Sequence, residues 1–348
     1  MIIVLKPHTS KEDVAVVERG VVDLGYEPHT IWGEVLTVVA AVGDETTHAS
    51  LQALLSLPMV DKVMPVQRPY RLISRETHPE STVVEVGDCR IGGDVFHVIA
   101  GPCSVESREQ TVNTALGVKA QGATLLRGGA FKPRTSPYDF RGLGQEGLDI
   151  LVEARRETGL PIVTEVLKET DVDRVAAAAD VLQIGARNAL NYALLEVVAA
   201  TGMPILLKRG LAATVEEWLL AAEYIVKSGN PNVMLCERGI RTYETATRNT
   251  LDVSAVAIAK QESRLPVIVD PSHAAGRCDL LIPLSKAAIA AGADGLMIEV
   301  HEHPEAALSD GAQQVTPEVF GSILREIEPF VRTAGKRLAV SPGGGGAA

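Results

Sequence analysis

FHVIAG (96–101), ATLLRGG (123–129), IVTEV (162–166), VLQIGA (181–186), PILLKRG (204–210), NVMLCERG (232–239), PVIVDPS (266–272) and DGLMIEV (294–300) are eight short apolar runs of strand length in the second part of a 348-residue chain. Stretches with helical spacing lie between them, at 112–121, 148–157, 215–227, 246–261 and 280–291. Eight β–α units over ~250 residues match a closed (β/α)8 (TIM) barrel in both count and length. An open doubly wound α/β sheet is the alternative, but no G-x-G-x-x-G follows the first run. The barrel is the expected fold.

Outward from the barrel, TVVEVGDCRIGG (82–93) reads as a β-hairpin turning at Gly87-Asp88. Residues 67–81 lose periodicity and carry Pro, Arg and Glu, which marks a linker. The first segment, 1–66, reads as a small α+β unit in the order βαββαβ, the split ferredoxin-like motif. Its helix at 10–24 places Val14, Val17, Val21 and Leu24 on one face behind a capping Ser10. A hairpin turns at Gly33-Glu34, a second helix fits 46–56, and VDKVMPV closes the set. The barrel domain is expected over 82–338, and the glycine-rich 339–348 as a tail that packs no core.

The chain is 46% hydrophobic and only 4% aromatic, which suits an aliphatic α/β core. A net charge of −11 leaves no excess of Lys and Arg to pair phosphates along a nucleic acid. No run reaches the length of a membrane span, the first residues lack a basic leader, and four scattered cysteines form no disulfide framework. A cytoplasmic protein with neither nucleic acid nor membrane as partner is the expectation.

In a (β/α)8 barrel the reactive groups lie at the C-terminal ends of the strands. In order, these ends offer Cys103; Arg127 and Lys132; Glu165; Arg187; Lys208 and Arg209; Glu237 and Arg238; Asp270 and His273; and Glu299. Core packing does not put a charged or metal-liganding residue at nearly every strand end. Arg127, Lys132, Arg134, Arg187, Lys208 and Arg238 form a cationic group that repels itself unless something anionic sits between its members. Two phosphate-bearing substrates would supply that charge. The bland alternative, six solvated charges each paired with some Glu, fits a lone Arg better than six basics after apolar strands in an acidic chain.

A second group is Cys103, His273 and Glu299, with Asp310 in the loop beyond. Ring closure makes the eighth strand a neighbour of the first. Thiolate, imidazole and two carboxylates suit one first-row divalent ion and do not choose among Mn, Fe, Co and Zn. The alternative is a buried free Cys and a hydrogen-bonded His, the commoner state of either alone. Cys89, Cys236 and Cys278 read as packing residues, although Cys278 lies near His273 in sequence; His301 and His303 read as ordinary loop residues.

GPCSVES (101–107), LRGGAFKPRTSPYDFRG (126–142), QIGARN (183–188), LLKRG (206–210), CERG (236–239) and DPSHAAGR (270–277) give the chain a close resemblance to a known family. It resembles the 3-deoxy-D-arabino-heptulosonate 7-phosphate (DAHP) synthases, in the subgroup similar to 3-deoxy-octulosonate 8-phosphate synthases. The likeness runs through the whole barrel, and the first segment resembles the ferredoxin-like regulatory domain that some members carry.

The resemblance implies a metal-dependent transferase joining phosphoenolpyruvate to erythrose 4-phosphate, the first step of the shikimate pathway. By family pattern Arg127, Lys132, Arg187, Lys208 and Arg238 hold phosphoenolpyruvate, with Glu237 and Asp270 also counted at the substrate. Glu165 lies near the reacting carbon through water, and Arg134 and Thr135 take the phosphate of the aldose. Cys103, His273, Glu299 and Asp310 fall on the metal ligands, and the first two are counted as catalytic with Lys132 and Glu165. Lys132 is the expected general acid, with burial and neighbouring cations lowering its pKa. A homo-oligomer is implied, a tetramer favoured, with tyrosine or phenylalanine as effector of the first segment; a passive oligomerisation element is the competing reading. Two rivals remain: an octulosonate synthase acting on arabinose 5-phosphate, and a non-catalytic phosphate-sensing barrel. KPRTS argues against the first, because the sister family has an Asn-containing loop there. The complete ligand set argues against the second.

Overall fold

The computed structural model describes residues 1–33, 35–43, 48–64, 69–134, 136 and 138–339, and the chain divides into two compact units, Met1–Pro69 and Tyr70–Ala348. The first unit contains β1 (Ile2–Leu5), α1 (Lys11–Asp23), β2 (Glu27–Trp32), β3 (Thr37–Val42), a 3-10 helix (Leu51–Ser56) and β4 (Val60–Met64). The strands pair antiparallel in the order β2-β3-β1-β4, the ferredoxin-like arrangement. Ser10 Oγ accepts the Asp13 N–H, and Glu12 and Asp13 face the positive end of the helix dipole. Val14, Val17 and Val21 are buried with Ile3, Leu5, Val39 and Ala41.

The second helix differs from the sequence reading. Positions 46 and 47 lie outside the described residues, and the chain from Leu51 makes a short 3-10 helix in place of α-helix. Pro58 explains the early stop, since it disfavours helical backbone at the preceding residue, and Leu57 is extended with ψ 130°.

In the second unit β5 (Val84–Val86) and β6 (Cys89–Ile91) form the expected hairpin. The barrel strands follow: β7 (Val95–Gly101), β8 (Leu125–Arg127), β9 (Ile162–Val166), β10 (Val181–Ile184), β11 (Ile205–Lys208), β12 (Val233–Glu237), β13 (Val267–Val269) and β14 (Gly295–Glu299). Each pairs in parallel with the next, and β14 closes the ring on β7 from Gly295↔His97 to Glu299↔Gly101. The larger connections carry α2 (Arg108–Gln121), α3 (Gln145–Thr158), α4 (Val172–Ala176), α5 (Tyr192–Ala199), α6 (Val215–Lys227), α7 (Val253–Glu262), α8 (Pro271–Ala275), α9 (Leu281–Ala290) and α10 (Pro317–Thr333). A short β15 (Arg337–Leu338) lies beside the start of β7.

One residue from each strand, Ile99, Leu125, Val163, Val181, Leu206, Met234, Ile268 and Met297, fills the barrel interior. Val84, Val86, Cys89 and Ile91 of the hairpin belong to the same cluster, so the hairpin plugs the N-terminal end. Cys89 and Cys236 are packing residues here, as expected.

Of the stretch read as linker, residues 67 and 68 lie outside the described residues, and the second unit begins at Tyr70. Tyr70 and Ile73 are buried in the layer between strands and helices. The backbone N–H groups of Arg71, Leu72 and Ile73 all donate to the Glu223 carboxylate. Two apolar anchors within polar sequence are what the loss of periodicity concealed.

The helix expected over 246–261 starts later, at Val253, where the Asp252 side chain accepts the Ala255 N–H. Residues before it form a loop closed by an Ile240↔Thr250 bridge. At the other end Ala339 still donates to the Phe96 carbonyl; the rest of the expected tail lies outside the described residues. No helix among the described residues is long and apolar enough to cross a membrane.

Candidate active site

The C-terminal strand ends enclose a cavity of about 230 Å³. Arg127, Lys132, Arg134, Arg187, Lys208, Arg238 and Arg248 line it, against three carboxylates, Asp139, Glu165 and Asp310, with His273 beside them. All six cations named from the sequence therefore converge. Thr135 lies outside the described residues.

Arg127, Lys208 and Arg238 are buried, and each is held by a group at another strand end. Lys208 Nζ donates to Asp270 Oδ2 at 2.6 Å, Arg127 is paired with Glu299, and Arg238 donates to the His273 carbonyl at 3.4 Å. Arg127 Nε is buried without a hydrogen-bond partner among the described residues. An orphaned donor of this kind is expected where an anionic ligand completes the site.

Asp270 organises the seventh strand end. Its Oδ1 accepts the His273 N–H at 2.9 Å, and its Oδ2 lies 2.6 Å from His273 Nδ1. Burial alone would raise the Asp270 pKa, but His273 and Lys208 hold it well below the usual carboxylate range. A carboxylate on Nδ1 fixes that nitrogen as the proton-bearing one. Nε2 is left as the bare nitrogen, 3.4 Å from Glu299 Oε1. Burial pushes the imidazole down to about 4, against the pull of Asp270 and Glu299, so it is neutral at neutral pH.

Donor atoms of Cys103, Glu299 and Asp310 lie within 4.8 Å of one another. That spacing fits ligands about 2.0–2.3 Å from a shared ion. His273 stands at the edge of this group and meets it through Glu299. Burial would raise the Glu299 pKa, but His273, Arg127 and Lys132 bring it down to about 2. Burial, with Glu299 beside it, pushes the Cys103 thiol up to about 11. Lys132 Nζ lies 3.1 Å from Cys103 Sγ and 3.0 Å from the Cys103 carbonyl. Here the structure reverses a sequence expectation. Burial does disfavour the Lys132 ammonium, but Cys103 and Glu299 outweigh it and raise the pKa.

Glu237, expected at the substrate, faces elsewhere. Side chains alternate along a strand; with Cys236 in the barrel interior, Glu237 points the other way. It is fully buried, where it accepts from Arg209 at 3.2 Å, Gly239 N–H at 2.7 Å and Asp252 N–H at 3.2 Å. Asp270 is not in the described cavity lining, but it lies two residues past the interior Ile268 and holds Lys208 and His273, which do line it.

Sequence reading missed Arg248, Gln313 and Gln314. Arg248 donates to Asp310 Oδ2 at 3.0 Å and to Gln313 Oε1 at 2.9 Å. Gln313 Nε2 donates to Glu299 Oε2 at 2.6 Å. Gln314 accepts the Cys103 N–H at 2.9 Å and donates to the Ser309 carbonyl at 2.8 Å. None sits at a strand end, which was the only positional signal in use. Two adjacent glutamines just past Asp310 were the available clue.

A closed (β/α)8 barrel with seven cations and a thiol–carboxylate cluster at its mouth is the frame of an enzyme acting on anionic substrates. The chain belongs to the DAHP synthetase I family, whose model matches residues 73–332; residues 1–68 match the DAHP synthase ferredoxin-like domain. It is 50% identical over 338 residues to the phospho-2-dehydro-3-deoxyheptonate aldolase of Thermotoga maritima, covering 97% of this chain and 100% of that protein. It is 33% identical over 277 residues to a 2-dehydro-3-deoxyphosphooctonate aldolase of Methylobacterium radiotolerans, covering 74% of this chain and 97% of that protein. The crystal structure of the Thermotoga maritima DAHP synthase matches with a TM-score of 0.91 at 49% identity, over 97% of this chain and 98% of that one. A truncated form of the Thermotoga maritima synthase matches with a TM-score of 0.73 at 51% identity, over 77% of this chain and 99% of that one. The chain is an enzyme of this aldolase/synthase type.

Proposed function

We propose that the enzyme is a metal-dependent transferase that condenses phosphoenolpyruvate and erythrose 4-phosphate with water, giving DAHP and inorganic phosphate at the start of the shikimate pathway. The observation that carries this reading is the grading of the cations. Arg127, Lys208 and Arg238 are buried, whereas Arg134 is half-buried and Arg187 exposed, giving inner and outer places for two phosphate-bearing substrates. Phosphoenolpyruvate takes the inner set with Lys132 and Arg187; the aldose phosphate takes Arg134 and Thr135.

Cys103, His273, Glu299 and Asp310 would hold one divalent ion, which when bound supplies Lewis-acid polarisation of the aldehyde oxygen. The vinyl carbon of phosphoenolpyruvate bonds to the aldehyde carbon. The resulting alkoxide takes its proton from Lys132, whose raised pKa keeps it an ammonium and so a donor. Water adds to the former enol carbon and gives its proton to Glu165, which is held by Gln183 Nε2 at 3.2 Å. The bond between that carbon and the bridging oxygen then breaks, phosphate leaves with the oxygen and takes up the remaining hydroxyl proton, and the ketone forms. The inner cations hold the charge that develops on the phosphate.

Residues 1–66 are assigned to sensing tyrosine or phenylalanine, 82–338 to catalysis, and a cytoplasmic homotetramer is the assembly this reading favours. The test is phosphate release and loss of enol absorbance with erythrose 4-phosphate and, separately, arabinose 5-phosphate. Turnover with the four-carbon sugar supports the reading. Preference for the five-carbon sugar, or turnover of neither, overturns it.

A further inference from the structure

Behind the mouth, and outside the cavity lining, lies a buried carboxylate with no part in the proposed chemistry. Glu106 follows Cys103 on the loop after β7, and its side chain is 8% exposed. Its Oε1 accepts the Leu308 N–H at 2.9 Å and the Ser104 hydroxyl at 3.1 Å. Its Oε2 lies 3.4 Å from His301 Nε2. The His301 tautomer follows from its other nitrogen: Nδ1 accepts the His303 N–H at 2.9 Å, so the ring proton sits on Nε2 and points at Glu106. Because the Ser104 hydroxyl donates to Glu106, the Ser309 hydroxyl donates to Ser104 across 2.5 Å.

The Glu106 bonds to Leu308 and His301, and the bond between Ser309 and Ser104, cross between two loops. One carries Cys103. The other runs from His301 to Asp310 and so carries a proposed ligand at its far end. The second loop also meets the aldose site, since Arg134 donates to the Leu308 carbonyl at 3.4 Å. Leu308 is thus held by Glu106 through its N–H, and holds Arg134 through its carbonyl. Asp310 is in the left-handed region at φ 49°, a conformation that persists only where its surroundings fix it.

We propose that Glu106 is a positioning residue that sets the reach of Asp310 to the Cys103–Glu299 cluster and the placement of Arg134 for the aldose phosphate. This rests on the metal and substrate assignments of the proposed function. Glu106 touches neither substrate nor ion; it acts through Leu308 and, with Ser104, through Ser309.

The two oxygens separate in variants. Glu106→Gln keeps an Oε1 acceptor for Leu308 and Ser104 but loses the His301 bond, because an amide NH2 and an Nε2–H are both donors. Glu106→Ala loses everything. The experiment titrates the chelated full-length chain with Co²⁺, following thiolate-to-cobalt absorption, and measures KM for both substrates and the Tm. Partners that orient metal ligands typically contribute about 10–100-fold in affinity. Glu106→Ala is expected to weaken cobalt binding by about that factor and to raise KM for erythrose 4-phosphate more than for phosphoenolpyruvate. Glu106→Gln should recover most of both losses. The proposal is overturned if Glu106→Ala binds cobalt as the parent does with parental KM values. It is equally overturned if Ala and Gln variants lose Tm and both KM values alike, which is a merely structural role. A parent chain that develops no thiolate–cobalt absorption overturns the metal reading itself, and the Asp310 half of this inference with it.

Discussion

A methyl group on Gly185 would lie 1.9 Å from Glu165 Oε1. The two residues end neighbouring parallel strands, with Glu165 paired to Gln183 across them. Gly185 has an ordinary extended backbone, φ −71° and ψ 160°, so glycine is required for space and not for conformation. Gly185→Ala should displace the Glu165 carboxylate. A misplacement of about 1 Å typically costs on the order of 100-fold in rate. A kcat drop of that order, with an almost unchanged melting temperature, is expected. Parental kcat would remove Glu165 from the reacting centre.

Metal binding should release a proton. In the free site the His273 pKa, pushed by burial to about 4, leaves the imidazole ready as a ligand at neutral pH, whereas burial keeps the Cys103 thiol protonated to about 11. The ligand is the thiolate, so its proton must leave. Affinity is therefore expected to rise about tenfold per pH unit between roughly pH 7 and 9. Calorimetry in buffers of different ionisation enthalpy should find about one proton released per ion. A value near zero would show that Cys103 does not bind the metal. The His273 shift also bears on stability without metal. Its folded pKa lies below the ordinary 6.5, so the contribution is complete above that value and is lost as pH falls through about 4.

Lys208→Ala and Arg134→Ala should fail differently. Removing Lys208 strands a fully buried Asp270, and breaking a buried pair typically costs about 3–5 kcal/mol. A lowered Tm and a raised KM for phosphoenolpyruvate are expected together. Arg134 is half-buried and bonded to the carbonyls of Phe140 and Leu308. Its loss should raise KM for the aldose phosphate at nearly constant Tm. Similar, small effects on both substrates from both variants would show that the division of the cations is wrong.

Deleting residues 1–66 should leave an active barrel that no longer responds to tyrosine or phenylalanine. The cut must stay upstream of Tyr70, which is 1% exposed in the barrel's own core. Coupling between sites is usually about 1–3 kcal/mol, which reads as fivefold or greater inhibition of the intact chain. Inhibition that persists after truncation would place the effector on the barrel. An intact enzyme indifferent to both amino acids would leave oligomerisation as the role of the first unit.

The barrel was legible because its strands are local apolar runs and its reactive groups sit at their ends, both of which a one-dimensional reading can follow. Arg127, Lys132, Arg187, Lys208 and Arg238 were found that way. Glu237 was placed at the cavity because strand position is visible in sequence and strand facing is not. Arg248 escaped because its place depends on a loop folding back, with its N–H on the Ala275 carbonyl and its side chain on Asp310. The rise in the Lys132 pKa was beyond reach for the same reason, since it depends on which charges lie within a few ångströms. Tyr70 and Ile73 were hidden because three apolar side chains, theirs and that of Leu72, set no period across residues 67–81.

The seam between β14 and β7 aligns Glu299 with Gly101, two residues before Cys103. The cluster at the mouth is therefore drawn from opposite ends of the barrel's chain and exists only where the circle meets itself. During synthesis Cys103 emerges early, yet it has no Glu299 or Asp310 beside it until nearly every other strand has been made. A partly translated barrel cannot bring Glu299 and Asp310 to Cys103, so a fragment released early lacks the proposed ligand set.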